Sequence, residues 1–481
     1  MPEGSNRSDV KSVVMIAHHF PPDASAGSYR PLRFVRHLPN YGWRPIVITE
    51  NPQHYDIYDP GLLDQVPKET EIIRVRNPDP WKAIQERRAG RFQQTIATKS
   101  TESALEVFAA HERPLRTFAR KTVRRLESWF YRPDMAKLWI GAATKAVVNA
   151  CRKSNAKVIW ATGSPWSSFV VARKASRQTG IPYVMDLRDS WTLSYDELQA
   201  LQSDRTKAKD RELLRSLFRD AQAVVLRYMA EAETYWRVYS DSLDEKRVHL
   251  IPNGYDGQIA TTVVPRGDRC MVLYTGGVAP YIYESLLDAL AQLKKSDPDI
   301  ARLLRFVFVG FQTENIDRIS ARLNLADIVE TSRPLPFAEI SKLQKQAHAL
   351  LLLGWKPMIG SEFGGSKIFG YLKSGRPIVG VLPQDENTRI LRSVGVSTIA
   401  DAGSVAQIIE LLRVLVRKWS SDELSSLLPN RSACEMYSAE RQAQALVQAL
   451  EGKPALDPFI AGSAAPAKSL EKLIAEWTRK G

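Results

Sequence analysis

Glu362, Lys367 and the glycines around them in SEFGGSKIFGYLKSGRPIVG, residues 361–380, place an acid and a cation beside a flexible turn. Ile368, Phe369 and Leu372 supply the apolar positions of a short helix, and Ser366 is placed to cap its first turn. A helix starting there presents free N–H groups and its positive dipole end beside Lys367. That combination suits a phosphate; a capped surface helix with one solvated lysine is the other reading. A second grouping lies in AHHFPPDASAGSYR, residues 17–30. There Gly27 lets a ligand approach backbone N–H groups at a helix start, with Arg30 one turn on. His18 and His19 precede it without an acid or cysteine at metal-ligand spacing, so no metal is expected and His19 is read as a cleft residue. Arg188 and Asp189 of DLRDSW follow a strand. They either shape a ligand-binding edge or form a structural ion pair.

These residues need strands that end where the loops begin. Apolar runs of strand length stand at 12–17, 44–49, 71–75, 157–161, 183–187 and 222–226, separated by amphipathic stretches. After the turn-rich PNGYDG and the polar PRGDR the alternation restarts at 271–275, 305–309, 349–353 and 377–382. This predicts two doubly wound α/β domains hinged near 257–268. Residues 82–135 carry many charges and no strand, and are expected to form a helical insertion. Asp297-Pro298-Asp299 lies between a helix and a strand and is read as a turn, not a metal motif.

The chain has 481 residues, 44% hydrophobic and 25% charged, enough for two or three domains with sizeable cores. A net charge of +14 points to an anionic partner. In 113–130, RPLRTFARKTVRRLESWF, an apolar stripe runs beside five basic residues: Arg116, Arg120, Lys121, Arg124 and Arg125. An interfacial helix on anionic lipid and a helix packed on the first domain both fit. Nucleic acid fits less well, since no aromatic stacking platform accompanies the charge. Cys151, Cys270 and Cys434 are too scattered to form a framework and suit a reducing compartment. No run approaches the ~20 apolar residues of a membrane span. The expected location is cytoplasmic, with a peripheral position on the inner face of the membrane open.

Taken in order, FPPDASAGSYR, ATGSPWSS, PYVMDLRDSW, IPNGYD, VLYTGG and SKIFGYLKSGRPIVG resemble the family-4 glycosyltransferases that build bacterial polysaccharides and glycoconjugates. The resemblance spans residues 11–452. It implies a GT-B fold: a first Rossmann-like domain over 1–260, a second over 268–437, a crossing helix at 438–452 and a tail at 453–481. It implies a nucleotide-sugar donor, a saccharide or lipid-linked acceptor, retention at the anomeric carbon and neither cofactor nor obligatory metal. Gly27, Arg30, Gly276, Gly277, Ser366 and Arg376 would hold the donor. Lys367 would face its diphosphate and Glu362 its sugar hydroxyls. His19, Arg188 and Asp189 would line the acceptor side. Two positions depart from the family pattern. Gly370 stands where a second acid holds the ribose, and 275–287 lacks the usual arginine and lysine. A catalytically silent binding or scaffold protein of the same fold is the alternative those departures raise.

Overall fold

The computed structural model describes residues 10–51, 58–78, 132–193, 203–261, 263–335, 337–356 and 365–456. The basic stretch 113–130, nearly all of the 82–135 segment, Glu362 and the tail after 456 lie outside these residues. The chain divides into two compact units, one built around Met1–Ile251 with residues from Ala443 on, the other around Pro252–Gln442.

The first unit holds a parallel sheet of seven strands: β1 (Lys11–Ile16), β2 (Trp43–Glu50), β3 (Glu71–Val75), β4 (Val158–Gly163), β5 (Tyr183–Leu187), β6 (Ala223–Leu226) and β7 (Val248–Leu250). Their order is β3-β2-β1-β4-β5-β6-β7. Strand direction of travel reverses between β1 and β4, which pair with Val13 opposite Val158. The second unit holds β8 (Cys270–Thr275), β9 (Leu304–Val309), β10 (Val329–Ser332), β11 (Ala349–Leu353), β12 (Ile378–Leu382) and β13 (Ile399–Asp401), ordered β10-β9-β8-β11-β12-β13. Its switch lies between β8 and β11. Helices cover both faces of a parallel sheet, so its central strands are continuous apolar runs. β11, ALLLL, is buried at every position, and only Lys11 of β1 is exposed.

The last helix, Ala439–Leu450, delivers Ala443, Leu446 and Ala449 to the core that Val13, Trp43 and Val225 form. Lys11 Nζ pairs with Glu451 Oε1 at 2.6 Å, and Gln222 donates to the Ala449 and Leu450 carbonyls. The division between units falls after Ile251, ahead of the 257–268 stretch where composition suggests a hinge. Backbone bonding explains the offset. Tyr255 N–H donates to the Tyr437 carbonyl and Ala260 N–H to the Lys373 carbonyl, so 255–260 belong to the second unit.

Candidate active site

In a parallel α/β sheet, ligands bind beyond the carboxyl ends of the strands at the switch point. Each unit places sequence-predicted residues there. In the second unit β8 runs directly into Gly276-Gly277. Gly276 has φ +118°, which L side chains rarely adopt, and a Cβ on it would lie 3.1 Å from Lys367 Nζ. Beside Gly277 a Cβ would meet nothing within 4 Å, leaving open space at the strand end. Lys367 is the first residue of the helix Lys367–Ser374, which follows β11. Its ammonium lies 3.8 Å from the ring centre of Tyr274 and 4.7 Å from that of Tyr281. Nζ is buried and has no hydrogen-bond partner among the described residues.

Two π faces recover only part of the lost hydration of an ammonium group. Burial accordingly pushes the Lys367 pKa down to about 7. The cage is fixed from outside. Tyr274 hydroxyl donates to the Gly277 carbonyl at 2.7 Å, and Tyr281 packs on Trp355 with ring centres 4.9 Å apart. Gly365 N–H donates to Asn387 Oδ1 at 3.1 Å, anchoring the approach to the helix. A buried cation without a counter-ion among the described residues, beside a glycine loop and a helix start, is suited to an anion that arrives with a ligand.

Two expectations for this unit need correction. Ser366 makes no side-chain cap bond; it sits in helical conformation (φ −78°, ψ −15°) and is exposed. The first-turn N–H groups therefore have no side-chain cap. Arg376 is not at this edge at all. It precedes β12, at the amino end of the sheet, where it is buried and donates to the Lys345 carbonyl at 2.7 Å. Of the predicted donor group, then, Gly276, Gly277, Ser366 and Lys367 share an edge, Arg376 stands at the opposite one, and Glu362 lies outside the described residues.

In the first unit the loop after β1 leads into the helix Ala26–His37. His19 Nδ1 lies 2.6 Å from Asp23 Oδ2, and the Asp23 Oδ1 accepts from Ser25 N–H at 2.8 Å. Burial raises the Asp23 pKa, but the His19 and Ser25 hydrogen bonds outweigh it and hold the carboxyl below its ordinary value. An ionised Asp23 fixes the proton on Nδ1, so Nε2 is the acceptor of a neutral ring. The acid that the spacing argument found missing is four residues on. His18 is different: it is buried beside Glu50, with Nε2 to Oε2 at 3.1 Å, and edge-on to Trp139.

Gly27 and Arg188 meet. A Cβ on Gly27 would fall 2.7 Å from Arg188 Nη2, so only glycine admits the guanidinium there. Arg188 Nη2 donates to the Ser164 carbonyl and Nη1 stands 3.4 Å from Asp189 Oδ2. Asp189 also accepts from the Ser164 hydroxyl at 3.2 Å. The Arg188 Nε is buried with no hydrogen-bond partner among the described residues, and burial lowers its pKa against the pull of Asp189 and Asp186. Arg30 is withdrawn from any ligand. Its Nε and Nη2 each reach Asp186 at 2.8 Å, Nη2 also donates to the Ile251 carbonyl, and the side chain is buried. Asp186 faces into the sheet from β5, so the fork is spent on holding helix to strand.

Residues 28–254 match the family model described as the glycosyl transferase 4-like domain. That match identifies a glycosyltransferase domain over a little under half of the chain. The glycosyl transferase 4-like domain begins inside the Ala26–His37 helix and ends at the PNG turn. No curated protein is detectable as a relative by sequence. Among solved structures, sucrose-phosphate synthase from Thermosynechococcus elongatus is similar at TM-score 0.56 and 14% identity, over 91% of this chain and 98% of that one. TarM gives TM-score 0.57 at 10% identity, over 92% and 98%. The apo form of the lipopolysaccharide outer core galactosyltransferase WaaB gives 0.51 at 11%, over 92% and 99%. The fold is GT-B, with two Rossmann-like parallel sheets. Among the described residues no helix is long and apolar enough to cross a membrane.

Proposed function

We propose that this glycosyltransferase takes a sugar from a nucleoside diphosphate donor held by its second unit and passes it, with retention, to a saccharide or lipid-linked acceptor in glycoconjugate or polysaccharide synthesis. The observation that carries the proposal is Lys367, a buried ammonium with no anionic partner among the described residues, beside Gly276 and open space at Gly277. As the bond from the anomeric carbon to the diphosphate oxygen lengthens, negative charge builds on that oxygen. A preplaced cation in a water-poor site stabilises it most there. Lys367 and the helix start are the protein's own means of doing so, and no obligatory metal is invoked. His19, oriented by Asp23, and the Arg188–Asp189 pair stand at the first unit's switch point as acceptor-side residues. Similar structures support a nucleotide donor: one is of Staphylococcus aureus TarM with UDP, another an E. coli protein with UDP-2-fluoro glucose. The stripe of 113–130 supports contact with an anionic membrane surface from the cytoplasmic side.

Thermal shift with UDP, GDP, ADP and CDP tests the donor site. At ~100 times its dissociation constant one of them should stabilise the fold by about 2.7 kcal/mol. No shift with any at millimolar concentration would overturn the donor assignment. Gly370 favours a second possibility, a GT-B protein that binds nucleotide without transferring sugar. Diphosphate binding in the absence of turnover, across a panel of labelled nucleotide sugars and acceptors, would select it.

A further inference from the structure

The amino edge of the second sheet, opposite the Lys367 site, encloses a cavity of about 440 Å³. That lies within the usual ~300–1,000 Å³ of small-molecule sites. Its wall is largely apolar, with Trp419 and Leu372 prominent, and its charged lining is three arginines (Arg266, Arg376 and Arg431) against the single acid Asp422. Arg376 is only 4% exposed, and its Nε has no acceptor among the described residues. Its recorded bond is the one to the Lys345 carbonyl. Trp419 Nε1, on the same wall, is likewise buried without an acceptor.

The other arginines and His348 already have partners. Arg266 stacks 5.0 Å from the Trp419 ring centre and donates to the Ser420 carbonyl, and Arg431 donates to the Ile259 carbonyl. His348 accepts from Met271 N–H at Nδ1, which puts its proton on Nε2, 3.2 Å from the Pro265 carbonyl. Burial and the nearby Arg376 charge hold that ring below its ordinary pKa, against the Pro265 bond, so His348 adds no charge to balance. The buried donors of this wall without an acceptor among the described residues are the Arg376 Nε and the Trp419 indole N–H, in a largely apolar chamber. Unmet buried donors of this kind cost stability unless an acceptor arrives.

We propose that this cavity is a second binding site, taking a small organic anion with an apolar body and a single carboxylate that pairs with Arg376. A carboxylate fits better than a phosphate, because a dianion would bring a larger desolvation cost into an apolar wall. The proposal does not depend on the transfer reaction.

Isothermal titration of the parent with naphthalene-2-carboxylate and with naphthalene-2-carboxamide tests it, the two probes sharing a body and differing in charge. Saturable one-to-one binding of the carboxylate is expected, at least about tenfold tighter than the carboxamide. Arg376→Gln should erase that preference. Should Arg376→Gln fail to fold, Arg431→Glu alters an exposed side chain at the rim and should weaken the carboxylate several-fold. Lys367→Ala should leave carboxylate binding unchanged, since Lys367 lies at the other edge. Absence of saturable binding, equal affinity for both probes, or loss of binding in Lys367→Ala would each overturn the second site.

Discussion

Replacing Lys367 by methionine keeps the length and apolar stem of the side chain and removes only its charge. A pKa lowered from 10.5 to about 7 is a shift of several units, each worth about 1.4 kcal/mol. The ligand-free fold thus carries a penalty on the order of a few kcal/mol for a fully protonated Lys367. The sign with pH follows from proton counting. Between pH 7 and 10.5 the unfolded chain keeps its proton on Lys367 while the folded chain has shed it. Unfolding therefore takes up a proton, and stability rises with pH across that window. Buried cysteines work the other way. Burial pushes Cys151 and Cys434 up to about 11 and Cys270 to about 12, so their contribution falls above pH 9. The parent-minus-variant difference cancels them. Urea denaturation at pH 6.5, 8 and 9.5 should show Lys367→Met more stable than the parent at pH 6.5, with the gap closing toward pH 9.5. Diphosphate affinity should move oppositely: weaker in the variant, and in the parent accompanied by proton uptake at pH 8, read by titration calorimetry in buffers of different ionisation enthalpy. A difference that is flat from pH 6.5 to 9.5 would refute the desolvated lysine and, with it, the reason for placing an anion there.

Three further outcomes follow from the same geometry. Lys367→Ala should cut transfer by about 10²–10³-fold in steady-state rate, the typical loss on removing one preplaced charge-stabilising donor. Gly370 is exposed and a Cβ there meets nothing within 4 Å, so Gly370→Glu should fold at least as stably as the parent; a several-fold gain in nucleotide affinity would place the ribose beside it, and an unchanged affinity would remove it. Arg30→Met breaks a buried pair and leaves Asp186 uncompensated, so denaturation should report a loss of roughly 3–5 kcal/mol. Unaltered stability with reduced diphosphate affinity would instead return Arg30 to the donor site.

The strands that sequence patterning misses are short ones at the edges of the sheets, while the five-residue edge strand β3 is found. All ten apolar runs became strands, and the three without a forecast, β7, β10 and β13, are each edge strands of three or four residues. An edge strand of three or four residues offers too few positions for an apolar run to stand out. β10, VETS, has one buried residue out of four. Central strands such as β11 are sandwiched between helices and can be read from composition alone.

Site residues divide along a different line. Those whose placement is set by local chain geometry were legible in position: glycines at a strand end, and a lysine opening a helix. Those whose role is set by a partner distant in sequence were not. Arg30 looks like a free cation until Asp186, 156 residues away, takes its fork. Arg376 sits nine residues from Lys367, yet the helix between them spans the sheet from its carboxyl to its amino edge and puts them at opposite ends. Tyr274 lies in β8 and Tyr281 in the loop after it, and only the fold brings both rings to one ammonium. The consequence for the missing cations of 275–287 is chemical. With Arg376 at the far edge, Lys367 is the cation placed at the described part of the β8–β11 switch, and its low pKa makes its charge conditional on pH. On the proposed donor site, an incoming diphosphate would raise the pKa of Lys367, so donor affinity should decline as pH rises above about 7, even while the ligand-free fold gains stability.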